Sequence, residues 1–360
     1  MSTLEIPTEP PLMTADLPAI GGHIGEQPED FAVEEVPLYP FSGEGEHLLV
    51  RIRKRGMNTR DAVGVVARAA GVSPRDVGYA GLKDRHAVTS QWLSLPARCR
   101  DPERWQLPDG LAVVEVTRHG NKLRVGHLAG NRFRIRLTSL VPEAAERLPA
   151  LLARIESRGL WNAFGPQRFG RDGANLSRAR LWANGELDRA GRFDEKMMPS
   201  VLQSEVFNRV LVARASEPRP DDVDLLQAGD VVRLSGSNSI FRVEDPDTER
   251  QRLAEGDIVR TGPIWGPRMV RAEGAPGALE QQAADALGLD EAAWERVGKA
   301  ARGTRRDLVL RPAHLQIETT SDADLVLSFV LPSGSYATQV IRELTHGVWL
   351  ASAQDLRGIE

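Results

Sequence analysis

Gly78-Tyr79-Ala80-Gly81-Leu82-Lys83-Asp84-Arg85-His86-Ala87-Val88-Thr89-Ser90-Gln91-Trp92 is the stretch on which the reading of this chain turns. It sets one carboxylate, Asp84, among Lys83, Arg85 and His86. Neighbouring cations lower a carboxylate's pKa and hold it ionised, and an ionised carboxylate at a loop tip can act as a nucleophile. Two glycines precede it, which suits a turn that another backbone or a ligand approaches closely. Lys-Asp-Arg alone is an ordinary solvated turn; the longer stretch is far less common. Residues 77–80 read as a strand entering the loop and residues 90–95 as the strand leaving it.

The rest of the chain bounds what such a loop serves. Its 360 residues predict about two domains, enough to bury about 75% of the unfolded surface. Hydrophobic residues make up 41% and charged residues 27%, the balance of a globular protein. No apolar run reaches the roughly 18 residues that span a bilayer. Residues 1–22 are acidic and proline-containing and lack the basic start of a secretory signal. Cys99 is the only cysteine, which excludes an intrachain disulfide and a cysteine-based metal site. The seven histidines show no His-x-x-x-His spacing, so no metal site is expected. Together these predict a cytoplasmic protein without a membrane partner, and nothing demands more than a monomer.

The net charge is −4, yet the charges are segregated. Residues 51–60 hold five bases, residues 118–136 six Lys or Arg with no acid, residues 158–180 five arginines against Asp172, and residues 299–306 four more bases. Acids gather at 26–46, 217–230 and 244–257. Local fields rather than the total steer partners, so an RNA-binding face is expected on an acidic protein.

Periodicity supplies the elements. Residues 31–36 and 47–52 read as strands around a Gly43-Glu44-Gly45-Glu46 turn. Asn58 or Thr59 caps a helix whose apolar face is Val63, Val66, Ala67 and Ala70, closed by Gly71. Residues 122–125 and 132–137 alternate as half-exposed strands. Residues 142–158, 177–184, 186–193, 199–215, 278–287 and 291–300 read as helices. Residues 231–234, 240–243, 257–259, 308–312 and 325–331 read as strands. Ser335 is the expected cap of a last helix ending near Thr345. A proline-containing acidic stretch at 218–222 marks a change in character. Strand-rich ends around a mixed middle predict an α+β domain interrupted by an insertion.

Five separated stretches resemble the TruD family of tRNA pseudouridine synthases. They are Pro28-Glu29-Asp30-Phe31-Ala32-Val33-Glu34-Glu35 with Gly43 to Leu48; the Asp84 loop; Gly130-Asn131-Arg132-Phe133; Asn162-Ala163-Phe164-Gly165-Pro166-Gln167-Arg168-Phe169-Gly170; and Phe329-Val330-Leu331-Pro332-Ser333-Gly334-Ser335-Tyr336-Ala337-Thr338 with Arg342-Glu343-Leu344. The resemblance implies an α+β pseudouridine synthase catalytic domain, with a mixed, mainly antiparallel sheet, from residues 1–158 and 307–360. It also implies an inserted α/β TRUD domain at 159–306, the two forming a cleft for RNA. It implies isomerisation of uridine-13 in the D-arm of tRNA, with Asp84 as nucleophile, a base flipped from its stack and no cofactor.

By the same resemblance Phe31, Asn131, Phe133 and Phe329 contact the target nucleotide, and the Asn131 amide reaches the uracil edge. Lys83 holds Asp84 ionised or meets a phosphate, and Arg168, with Arg171, is a candidate phosphate contact. Alternation places Asn131, Phe133, Ile135 and Leu137 on one face and Arg132, Arg134 and Arg136 on the other. Without the resemblance, isolated strand phenylalanines read as core. Two departures stand out: Trp161 and Ala163 flank Asn162 where proline and an aromatic are common, and Tyr336 replaces a frequent phenylalanine. A non-catalytic RNA-binding factor is one rival reading, and a hydrolase using Asp84 with a divalent ion is another. The second lacks a P-loop and a nearby second carboxylate.

Overall fold

The computed structural model describes residues 7–187, 192–217, 226–320 and 323–347. The chain forms two compact units. One comprises Asp16–Ala153 with the C-terminal segment from Pro312, and the other Arg154–Arg311 with the N-terminal segment up to Ala15.

In chain order the first unit carries β1 (Gly21–Ile24), β2 (Phe31–Pro37), β3 (His47–Arg55), α1 (Thr59–Ala70), β4 (Gly78–Tyr79), β5 (Val88–Pro96), β6 (Leu111–His119) and β7 (Leu128–Leu140). Helix α2 (Ala144–Arg158) carries the chain into the other unit, which holds β8 (Leu160–Trp161), α3 (Pro166–Phe169), α4 (Ala174–Asn184), α5 (Arg192–Ala215), β9 (Val231–Leu234), β10 (Ile240–Arg242), α6 (Pro246–Ala254), β11 (Ile258–Ile264), α7 (Gly274–Asp285), α8 (Glu291–Ala300), β12 (Thr304–Asp307) and β13 (Val309–Leu310). The chain then returns through β14 (Ala313–Thr320), β15 (Asp324–Pro332) and α9 (Ala337–Thr345).

Among the described residues nine strands of the first unit join in one sheet, ordered β14-β15-β7-β2-β5-β3-β6, with β1 on β7 and β4 on β5. Every pairing is antiparallel except β2 with β5. The expected α+β class with a mainly antiparallel mixed sheet is therefore what folds. Helix α1 begins where the Asn58 side chain accepts from Asp61 N, and it ends at Gly71 in the left-handed region. It buries Ala62, Val63, Val66, Ala67 and Ala70 against Leu48, Val50, Ile52, Leu93, Leu95 and Leu111.

The second unit is built around α5. Val201, Leu202, Val206, Phe207, Val210 and Leu211 are buried, and so are Gln203, Ser204, Glu205 and Asn208. A helix buried on all sides must satisfy its polar members. Gln203 donates to Trp265 O at 2.6 Å, and Asn208 donates to Phe164 O and Thr8 O, both at 2.9 Å. Glu205 accepts from Thr8 N and from its hydroxyl. These contacts explain why residues 7–15 fold with this unit, whereas the expected division kept all of 1–158 with the chain ends. The other edge of the unit also differs slightly, at Arg311 rather than residue 306.

Two local expectations differ, and some strands went unread. Residues 122–125 form no strand. Leu123 is buried beside Leu49 and Trp92, its N–H donates to Ser94 Oγ at 2.9 Å, and Val125 is exposed. Helix α9 is preceded by Tyr336 rather than Ser335, with no side-chain cap. The long edge strand β6 shows no clean alternation because Val114 and Val116 face solvent, and β12 likewise carries no apolar signal, whereas β14 alternates Ala313, Leu315 and Ile317 with polar residues. The acidic stretch at 218–222 and part of the expected helix at 186–193 lie outside the described residues.

Leu93 has no exposed surface and faces α1 across the sheet. Leu93→Ala is expected to cost about 2–5 kcal/mol, read as a lowered thermal or urea midpoint of this unit.

Candidate active site

Asp84 sits in the loop between β4 and β5, half-buried. The loop is held from beneath. Lys83 N donates to Thr59 Oγ1 at 2.9 Å, Thr59 Oγ1 donates to Gln91 Oε1 at 2.8 Å, and Gln91 Nε2 donates to Gly81 O at 3.3 Å. Of the two glycines, Gly78 meets the close approach: a Cβ there would overlap Leu123 O and Ser94 Oγ. At Gly81 the nearest atoms would stand 3.9 Å away, an ordinary contact.

The strongest tie comes from a residue the sequence reading passed over. Lys54 on β3 has no exposed surface, and its Nζ donates to Met57 O at 2.6 Å, Asp84 O at 2.7 Å and Lys83 O at 3.3 Å. A signal for it exists. Leu48, Val50 and Ile52 are buried at alternate positions, and Lys54 continues that parity. Burial pushes the Lys54 ammonium down to about 8, with Asp84 pulling the other way.

Register explains what gathers at the loop. Paired residues share a sheet face. Val33 pairs with Phe133, Glu35 with Asn131, and Phe329 with Phe133. Val33 also pairs with Thr89, which pairs with Lys54. One face thus carries Phe31, Asn131, Phe133 and Phe329 beside Lys83. The rings of Phe31 and Phe133 meet edge-on at 6.0 Å, and those of Phe133 and Phe329 stack at 5.5 Å. Phe329 and Phe133 are buried at 1% and 6% exposure, while Phe31 keeps an accessible side. Lys83 Nζ donates to Asn131 Oδ1 at 2.6 Å and pairs with Glu35 Oε2 at 3.1 Å. Glu35 Oε1 accepts from Trp92 N at 3.3 Å.

The electrostatics differ from the expectation that cations hold Asp84 ionised. Burial pushes the Asp84 carboxyl above its usual range, and Lys54, Lys83 and, least, His86 oppose it. Arg85 contributes little because its guanidinium turns outward to Gly56 O at 3.4 Å. Beyond its own backbone, the Asp84 carboxylate forms no hydrogen bond or ion pair among the described residues. It is therefore an uncommitted acid that desolvation makes reactive as the anion.

Arg168 belongs to the other unit, on α3, with its guanidinium 5.5 Å from the Phe164 ring centre. The Arg171 side chain lies outside the described residues. Asn162 is structural: it accepts from Arg306 Nη2 at 2.5 Å and donates to Asp307 O at 3.0 Å. Part of the basic excess is also used internally. Arg51 pairs with Glu34 and Glu115, Arg55 with Glu29, Arg134 with Glu318, Arg136 with Asp324, and buried Arg305 with Glu280. Arg60, Arg124 and Arg132 are exposed and form no ion pair among the described residues. No cluster of three or more His, Cys, Asp or Glu side chains suited to a metal occurs among those residues, and no described helix is long and apolar enough to cross a membrane.

The sequence matches the family described as tRNA pseudouridine synthase D (TruD) over residues 9–177 and 195–344. The chain belongs to this family. A tRNA pseudouridine synthase D from Anaeromyxobacter sp. (strain Fw109-5) is 42% identical over 344 residues, covering 94% of this chain and 96% of that one. A protein of the same name from Thermus thermophilus is 37% identical over 342 residues, covering 94% and 92%. A solved structure from Methanosarcina mazei, described as a putative tRNA pseudouridine synthase D, shares the fold with a TM-score of 0.71 at 24% identity, covering 96% of this chain and 99% of that one.

Two outcomes follow from the charges. A carboxyl whose folded pKa is raised binds protons more readily in the folded state, so its ionisation lowers stability as pH rises through the shifted value. Asp84→Asn is expected to raise the melting temperature at neutral pH, with the gap over wild type closing on acidification. Lys54→Met removes the main charge opposing burial at Asp84. In an activity–pH profile the acid limb should move to higher pH, and activity should fall by up to about a hundredfold as the loop loosens.

Proposed function

We propose that the protein isomerises uridine to pseudouridine in tRNA, at position 13 of the D-arm, with Asp84 as nucleophile. The observation that carries this reading is the Asp84 carboxylate itself. It is half-buried and uncommitted, it rides on a loop held by Lys54, Thr59 and Gln91, and the next ammonium is fixed against Asn131. A pure binding protein has no use for a destabilised carboxylate where phosphates must approach.

In the proposed reaction the uridine is out of its stack. The Asp84 carboxylate bonds to C1′ of the ribose as the bond from C1′ to N1 breaks and the uracil leaves with the bonding pair. The uracil turns, C5 bonds to C1′ as the carboxylate is released, and the C5 proton is lost to solvent while N1 takes one up. Each step needs an ionised carboxylate and a positioned base, which this chain's own side chains supply. Asn131 meets the uracil edge. Phe31, with an accessible side, offers a flat apolar surface. Phe133 and Phe329, being buried, back it and come into contact only as the pocket fills. Lys83 sets the field at Asp84, and Arg168 serves a tRNA phosphate. The family's inserted domain is assigned to residues 159–306, which lie within the unit containing Arg154–Arg311. The enzyme works as a cytoplasmic monomer without metal or cofactor.

The test is a pseudouridine assay on unmodified tRNA transcripts in excess chelator. Wild type is expected to yield product at one D-arm uridine. Asp84→Asn and Asp84→Ala should lose activity by orders of magnitude while binding tRNA within a few-fold. Normal turnover by either variant would overturn the assignment of Asp84, and activity abolished by chelator would overturn the metal-free reaction.

A further inference from the structure

Glu35, Lys83 and Asn131 form a chain with one chemical consequence. Lys83 and Glu35 are both buried, and their pair at 3.1 Å directs the ammonium at the Asn131 amide, 2.6 Å away. An ammonium has three donors and no acceptor. The atom of the amide that faces it must therefore be the oxygen, whichever way an isolated asparagine would turn. Glu35 is itself oriented by the Trp92 backbone N–H, and the register that pairs Glu35 with Asn131 across β2 and β7 sets the spacing. The other amide atom, Nδ2, has no partner among the described residues, and Asn131 is half-buried.

We propose that Glu35 and Lys83 are a positioning pair that locks Asn131 as a hydrogen-bond donor, so that the site selects a base presenting a carbonyl at its 4-position over one presenting an amine. The inference rests on the proposed reaction and extends it to the choice of uracil over cytosine. A free asparagine amide would serve both bases by flipping, giving its oxygen to the cytosine amine. With the oxygen engaged by Lys83, cytosine brings donor against donor. A buried donor left unmatched costs enough to give about tenfold discrimination.

The experiment compares two tRNA transcripts that differ only by uridine or cytidine at the modified position. Turnover of the first gives KM, and competitive inhibition by the second gives Ki. For wild type the ratio of Ki to KM is expected to be about tenfold or more. Lys83→Met and Glu35→Gln should bring it within about threefold by freeing the amide. Lys83→Arg keeps a donor-only cation and should retain the preference. Asn131→Asp gives one oxygen to Lys83 and an acceptor to the base, and should invert the ratio. This last variant decides the matter if Lys83→Met does not fold. A merely structural Lys83 would lower turnover without changing the ratio, so an unchanged ratio in Lys83→Met, Glu35→Gln and Asn131→Asp overturns the inference while the proposed reaction stands. Wild type that makes no pseudouridine in any transcript overturns the reaction and this inference with it.

Discussion

The Lys54 ammonium, buried beneath the Asp84 loop, is the constraint on which the site depends. Moving an ammonium out of water costs several kcal/mol even after relaxation, and the fold recovers that only through close partners. It has three, the carbonyls of Met57, Lys83 and Asp84. The same contacts that satisfy Lys54 therefore fix the backbone of the loop. They also place a positive charge where burial drives the Asp84 carboxyl toward its neutral form. The two groups are interdependent: the cation stays charged partly because of the acid, and the acid ionises partly because of the cation. A loop that lay on the surface would need neither, and its carboxylate would be an ordinary solvated acid.

That dependence extends to the sheet. Lys54 reaches the loop only because β3 pairs with β5 along its whole length, and Glu35 reaches Lys83 only because β2 leaves β5 after a short parallel stretch. The C-terminal β15 then lies antiparallel on β7, bringing Phe329 against Phe133. A β7–β15 pair can tolerate a large insertion between its strands. Register is set by the buried alternation of Ile135, Leu137, Leu325 and Leu327, so the length of the connecting chain does not enter it. The second unit can thus carry its own core around α5 without altering the spacing at Asp84.

Much of this was legible in the sequence, and what was not had physical reasons. Alternation located β2, β3, β5, β7 and β15 and separated Phe133 from Arg132, Arg134 and Arg136. The cap at Asn58 and the stop at Gly71 bounded α1. Lys54 and Glu35 sat in plain view at inward parity, each at the polar end of an apolar series, yet a charged residue at a strand end is usually solvated. Only the loop crossing above Lys54, a contact between residues thirty apart, gives it a role. The misread strand at 122–125 failed for a related reason: its alternation is real, but Leu123 N–H is taken by a serine hydroxyl instead of a neighbouring strand. Nothing local could place residues 7–15, because their partners Glu205 and Asn208 lie across most of the sequence.

Charge runs proved the least direct signal. Residues 51–60 looked like one basic face, but their members divide by parity and partner. Lys54 turns into the site, Arg51 and Arg55 are matched by glutamates, and Arg60 remains exposed. A field that steers a polyanion is set by the unmatched charges, and a run of bases contributes to it only after its internal pairs are subtracted. The same subtraction changes the meaning of Lys83 and Arg305. Both are buried cations held by buried glutamates, but Arg305 is fully turned to Glu280, Thr261 and the Val270 carbonyl, whereas Lys83 keeps one donor for Asn131. Sequence places both in basic stretches; the difference between a cation that closes a core and one that orients a neighbouring amide lies entirely in where its last hydrogen bond goes.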